Sequence, residues 1–189
     1  MKKAISVVYF SGTGHTEVIA DALAEGAVSL GSNEVHLIKV PKNGVISDED
    51  WKRLDNSSAI VFGAPTYMGS VAAPMKAFMD STSPLWAQRK WADKIAGGFT
   101  NSANLSGDKL LSLQQFVIFA GQHGMIWVPP NELPKGIGRD DINRLGSFTG
   151  TMAQSDFDKG PEVVPPQSDR ITARNYGRRI AEITDKFML

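Results

Sequence analysis

The sequence predicts an α/β domain built on an open, doubly wound parallel sheet of five strands, and three observations carry that prediction. Short apolar runs alternate with longer segments whose apolar residues recur at helical spacing, the signature of strand and helix units in succession. The runs are apolar almost throughout rather than at every second residue, as strands covered by helices on both faces must be. The chain has 189 residues, enough for one well-buried domain and short for two. No internal repeat or linker divides it, so residues 1–189 are read as a single domain.

Each element follows in order. Ala4 to Phe10 is apolar apart from Ser6 and forms the first strand. Val18, Ile19, Ala22, Leu23, Ala27 and Leu30 then recur at helical spacing, with Gly31 to close the helix. Glu34 to Val40 is a second strand ended by Pro41, and Ser47 caps a short acidic helix through Leu54. "AIVFGAP", from Ala59, is the third strand. Pro74 sits early in a helix whose Met75, Phe78 and Met79 share a face. Lys94 to Thr100 is the fourth strand, a helix runs from about Lys109 to His123, and "MIWV" is a short fifth strand. The final helix extends from Asp169 to about Lys186 with Ser168 as its cap.

Pro129 to Gln167 breaks this rhythm. It holds six prolines and five glycines, shows no sustained periodicity, and exceeds the ~12 to 15 residues of most structureless loops. It reads either as a solvent-exposed excursion or as a lid or wall beside a ligand.

Composition removes several classes of function. Twenty Lys+Arg balance twenty Asp+Glu, so no global field favours a nucleic acid or an anionic membrane. The absence of cysteine removes disulfides, zinc thiolates and thiol nucleophiles, leaving redox chemistry to a cofactor. "MKKAISVVYF" resembles the start of a leader, but its apolar run reaches only Phe10, meets a glycine turn and has no small-residue cleavage site after it. No stretch approaches the ~18 to 20 apolar residues of a membrane span, and a cytoplasmic location is expected. The scattered His15, His36 and His123 suggest no metal.

In an open parallel sheet, ligands bind outside the carboxyl ends of the strands. Ser11 to Thr16, S-G-T-G-H-T, lies at such an end and offers successive backbone N–H groups, the hydroxyls of Ser11, Thr13 and Thr16, and the positive end of a helix dipole. Those features suit a phosphate, although the same residues would serve as an ordinary turn with caps. A P-loop would need lysine where His15 stands. A dinucleotide fingerprint would need a third glycine where Glu17 stands and an acid near Lys39 and Val40. A monophosphate is what remains. "APTYMGS" and "TNSANLSG", after the third and fourth strands, are equally rich in small polar residues, and the topology brings all three loops to one edge.

These residues resemble those of a known family. Ser11-x-Thr13-Gly14-x-Thr16 matches the flavodoxin-type phosphate loop. Pro65-Thr66 followed by "AAPMKAFMD", Trp86, "GGFTNSA" and "QHGMIWV" are similar in order and spacing to the WrbA-type NAD(P)H:quinone oxidoreductases. The resemblance implies a flavodoxin-like sheet of strand order 2-1-3-4-5, bound FMN, NAD(P)H as electron donor, a small-molecule quinone acceptor, and a homo-oligomer, either tetramer or dimer. By position, Ser11, Gly12, Thr13, Gly14, His15 and Thr16 would hold the FMN phosphate. Pro65, Thr66, Tyr67, Met68 and Gly69 would border the flavin ring on one side. Thr100, Asn101, Ser102 and Ala103 would line the other, with 104–107 beyond them. His123 matches a histidine over the flavin pocket and would be the catalytic group. Trp86 matches a tryptophan near the acceptor. Family members often carry a tyrosine where Thr13 stands and an arginine where Tyr67 stands.

Both single residues also have plain structural accounts. His123 ends a helix, followed by Gly124 as its C-terminal glycine, and Trp86 could simply pack. The leading function is therefore an FMN-dependent oxidoreductase carrying two electrons from NAD(P)H to a quinone. The alternative is a flavodoxin-like electron carrier, against which the zero net charge and the long loop argue.

Overall fold

The computed structural model describes residues 3–187. Its elements run β1 (Lys3–Tyr9), α1 (His15–Val28), β2 (Asn33–Lys39), α2 (Asp48–Asn56), β3 (Ala59–Tyr67), β4 (Ser70–Val71), α3 (Ala73–Ser81), α4 (Ser83–Ala87), β5 (Ile95–Ser102), α5 (Lys109–His123), β6 (Ile126–Trp127), β7 (Thr151–Gln154) and α6 (Gln167–Phe187). Four parallel strands lie in the order β2-β1-β3-β5. The fifth lane is shared. β6 pairs with the start of β5 (Ile95 opposite Ile126) and β7 with its end (Phe99 opposite Thr151), both parallel. The five expected lanes are present in the expected order. The sheet has seven strands because β4 folds back antiparallel on β3 and the last lane is built from two pieces.

Alternating side chains feed two cores. Val8, Ile60, Phe62 and Ala96 join Phe78 of α3 and Phe116 of α5 on one face; Val7, Val61, Ile95 and Phe99 join Ile19 of α1 and Ile180 of α6 on the other. Helices α1 and α6 cross at backbone contact. A Cβ on Gly177 would lie 1.9 Å from the Leu23 carbonyl oxygen, so no larger residue fits without separating the pair.

Local signals hold in part. Ser47 caps α2, its Oγ accepting from Asp50 N at 3.1 Å. Ser168 does not cap α6: the helix begins one residue earlier, the amides of Asp169 and Arg170 reach Pro166 O, and Ser168 Oγ donates to Arg139 O. The Pro129 to Gln167 segment contains β7, a strand of four residues whose register comes entirely from β5.

Candidate functional site

The chain leaves β1 at Tyr9 and enters α1 at His15, and the turn between them is set by Gly14 in the left-handed region (φ 93°). Ser11 Oγ accepts from the amides of Gly14 and Glu17 at 3.1 and 3.2 Å. Two first-turn donors are thereby satisfied, and those of His15 and Thr16 stay free of intrahelical acceptors. Together with the helix dipole they make an anion cradle. Glu17 is turned away from it: the carboxylate accepts from Lys39 Nζ at 2.7 Å and from Tyr9 at 3.1 Å, and the Lys39 bond lowers its pKa.

Beside this cradle, β3 and β4 form a hairpin whose two turn residues, Met68 (φ 49°) and Gly69 (φ 76°), both have positive φ. That is the geometry of a tight hairpin matched to strand twist, in which a methionine is an unusual and strained choice. The hairpin places Tyr67 across the opening, so near the Ser11 to Thr16 loop that a Cβ on Gly12 would lie 2.5 Å from the Tyr67 hydroxyl oxygen. Thr66 stands at its base. Thr100 Oγ1 donates to Ala64 O, so Thr66 must donate to Thr100 at 2.8 Å and Ser112 to Thr66 at 2.7 Å. This buried chain of hydroxyls cross-links β3, β5 and α5 under the site.

The long segment closes the cleft. Ser155 pairs with Ser102 O and Asn101 Oδ1, while Gln154 reaches Ala103 O. Gln154 is fixed by a buried ion pair between Arg144 and Asp169, whose Oδ2 accepts the Gln154 amide at 2.9 Å. Pro161 covers Gly14, where a Cβ would come within 2.9 Å of the ring. His15 Nε2 lies 2.8 Å from Lys159 O. Because a carbonyl only accepts, Nε2 carries the proton, and the Thr13 hydroxyl donates to Nδ1 at 3.0 Å in the neutral ring. Lys159 Nζ donates to Asp156 at 2.6 Å, and bonds from Lys159 and Gln154 hold that carboxyl at about 2.

The result is a cleft of about 440 Å³. It is lined by Thr13, His15 and Thr16 from the first loop, Pro65, Thr66 and Tyr67 from the second, Asn101, Ser102 and Ala103 from the third, and Ser155, Phe157, Lys159, Gly160 and Pro161 from the long segment. The three loops do converge. The fourth wall lies beyond the residues that the sequence motifs name, although the proline and glycine density of its segment sets it apart. Lys159 lines the cleft as well, with its ammonium paired to Asp156.

The profile of the NADPH-dependent FMN reductase family matches residues 5–139. The chain belongs to that family. It is also 45% identical over 186 residues to Flavodoxin FldP of Pseudomonas aeruginosa (97% of each chain). It is 31% identical over 199 residues to an NAD(P)H dehydrogenase (quinone) of Chromohalobacter salexigens (96% of this chain, 97% of the relative). Among solved structures, the flavodoxin, WrbA-like protein from Agrobacterium tumefaciens superposes with a TM-score of 0.79 at 39% identity, covering 98% and 99% of the two chains.

The cofactor of the FMN reductase family fits what this cleft offers. FMN needs an anion cradle at one end and a flat slot at the other; here His15 and Thr16, in the first turn of α1, line a cleft whose far walls are Tyr67 and the Asn101 to Ala103 loop. Ser11, Gly12 and Gly14 shape the cradle without lining it. Thr100 is fully buried beneath it, a correction to its assignment to the wall. Met68 and Gly69 form the rim, beside an adjoining groove of about 660 Å³.

The structure does not bring His123 to the cleft. α5 starts near the carboxyl end of β5 and runs back, so its last residue lies at the opposite edge, where Gly124 O meets the Asp93 amide before β5 begins. The imidazole is 2% exposed, packed 4.7 Å from the Trp91 ring and 4.9 Å from Phe119. Thr82 gives its proton to Met79 O, so His123 Nε2 donates to Thr82 Oγ1 at 2.9 Å, and buried Nδ1 has no partner among the described residues. Burial, reinforced by Arg89, lowers its pKa to about 4. It is a neutral core histidine. Trp86, half-exposed on α4, lies at this same far edge.

Proposed function

We propose that this chain is an FMN-dependent oxidoreductase that takes two electrons from NAD(P)H and passes them to a quinone. The observation that carries the reading is the cleft itself: an anion cradle at a helix N-terminus, continuous with a slot between an aromatic hairpin and a polar loop, in a chain of the FMN reductase family. The quinone reductase relatives supply the acceptor class.

In this reading the phosphate rests on the amides of His15 and Thr16, with Thr13 turning from His15 to meet it. Pro65, Thr66 and Tyr67 border the ring on one side and Asn101, Ser102 and Ala103 on the other, with Met68 and Gly69 at the rim. Bound FMN supplies the two-electron chemistry. The protein holds the ring, covers the cradle with Pro161, and leaves the Tyr67 and Met68 side open for nicotinamide and quinone in turn. No helix among the described residues is long and apolar enough to cross a membrane, and the cytoplasm, where nicotinamide cofactors are available, is the compartment this reading assigns.

A homo-oligomer, dimer or tetramer, belongs to the same reading. The exposed face of α5 carries Leu110, Leu111, Gln114, Ile118 and Gln122 without a charge, and Gly121 meets nothing within 4 Å where its Cβ would be. Such a face suits a two-fold contact with its own copy. Trp86 could border an acceptor only across a subunit contact.

The 45% identity to a protein named Flavodoxin FldP favours a second reading, an electron carrier reduced by a partner protein. One experiment separates the two. FMN-loaded protein mixed anaerobically with NADH or NADPH should lose its flavin absorbance and regain it on adding benzoquinone. Failure of both nicotinamides to bleach the flavin within minutes would leave the carrier.

A further inference from the structure

Lys109 is the first residue of α5 and is fully buried. Both facts are unfavourable for a lysine: a cation opposes the positive end of the helix dipole, and a buried ammonium loses its hydration. What offsets them is local. Nζ donates to Ser102 Oγ at 2.9 Å, Asn104 O at 2.6 Å and Leu105 O at 2.9 Å, using all three protons. These acceptors are the last residue of β5 and the loop after it, of which Ser102 and Ala103 line the cleft. The loop reaches α5 through two left-handed residues, Gly107 (φ 53°) and Asp108 (φ 52°), and the ammonium clasps it from behind.

The charge has no ion-pair partner among the described residues. Asp169 and Arg144, the charged groups that act on it, are bonded to each other at 2.9 Å. Burial lowers the amine's pKa to about 8, so it stays mostly protonated at neutral pH. A buried cation without an anion therefore stands one hydroxyl behind the wall of a cleft read as the flavin site. Two electrons and one proton, the content of the hydride that NAD(P)H gives up, convert oxidised flavin into an anion.

Resting on the FMN reading above, we propose that Lys109 is a positioning residue for the flavin loop, and that its ammonium, acting through space across Ser102, whose own proton goes to Asn104 O, favours the reduced, anionic flavin over the oxidised form.

The test uses the full chain and Lys109→Met, with FMN and riboflavin affinities read from quenching of flavin fluorescence and the two-electron potential read by equilibration with a redox dye. Lys109→Met should weaken FMN and riboflavin by the same factor, about tenfold, because the phosphate cradle is untouched. Reduced flavin should lose about tenfold more, making the potential about 30 mV more negative. A folded Lys109→Met protein with wild-type affinity and potential overturns the proposal, as does a loss confined to FMN. If the variant does not fold, the wild-type holoprotein decides. Its potential should fall about 30 mV per pH unit below pH 8 and more steeply above it, as reduction draws a second proton to Lys109; an unbroken slope overturns the proposal. Wild-type protein that binds no flavin would instead refute the FMN reading itself.

Discussion

The two edges of the sheet hold the same kinds of polar residue in opposite conditions. At the carboxyl edge, the amides of His15 and Thr16 stand without intrahelical acceptors, and the Thr13 hydroxyl is held by a histidine it can release. At the amino edge, Thr82 gives its proton to Met79 O and accepts from His123, and the imidazole is closed in by Trp91 and Phe119. A helix that starts at one edge ends at the other, so strand direction decides which edge has donors to offer. The difference teaches that a histidine is a candidate for chemistry only where the topology leaves it a ligand to meet.

Removing the phosphate should break the carboxyl edge most severely. Riboflavin should bind at least about a hundredfold more weakly than FMN, since two or more charge-assisted hydrogen bonds of about 1.5 to 3 kcal/mol each are lost. Fluorescence titration checks this, and equal affinities would make that edge as closed as the other. The amino edge is tested by acid. His123 is neutral in the folded protein, with a pKa of about 4 against 6.5 ordinarily, whereas the unfolded chain takes up a proton as pH falls below 6.5. Its stabilising share is thus complete above pH 6.5 and is lost as pH falls toward 4, by up to about 2 kcal/mol between pH 7 and 5. Urea unfolding of His123→Gln, which keeps a donor for Thr82, should show that much less acid sensitivity, with FMN affinity unchanged. A change in FMN affinity would return His123 to the site.

Smaller effects sharpen the contrast. Thr13→Ala should weaken FMN by tenfold or less, because the wild-type hydroxyl must first leave His15; isothermal titration measures it. Trp86→Ala should leave FMN affinity within about twofold, by the same titration, since the indole lies at the far edge from the cleft. A larger loss would place the indole in the flavin site.

What was legible in the sequence follows from range. The Ser11 to Thr16 loop is six consecutive residues with its helix directly behind, and the strands are marked by unbroken apolar runs, so both could be read locally. Ser155 to Pro161 could not: they reach the cleft only because β7 pairs with β5 and because Arg144 and Asp169 fix Gln154. Thr100 and Asn101 look alike as polar neighbours, yet one is committed to Ala64 O below the floor and the other to Ser155 at the wall. His123 could have been placed by counting. A helix of 15 residues rises about 22 Å, the depth of the sheet, and carries its last residue away from the edge where it began.

The break in the last lane has a consequence for how the chain tolerates change. It leaves the sheet after Trp127, opposite Ala96, and returns at Thr151, opposite Phe99. That gap is three strand steps, about 10 Å. Everything between departs and returns at nearly one point, like a sleeve stitched to a single seam. Segments of other lengths could be spliced there with the strand order kept, provided that they still bring an arginine to Asp169 and Gln154.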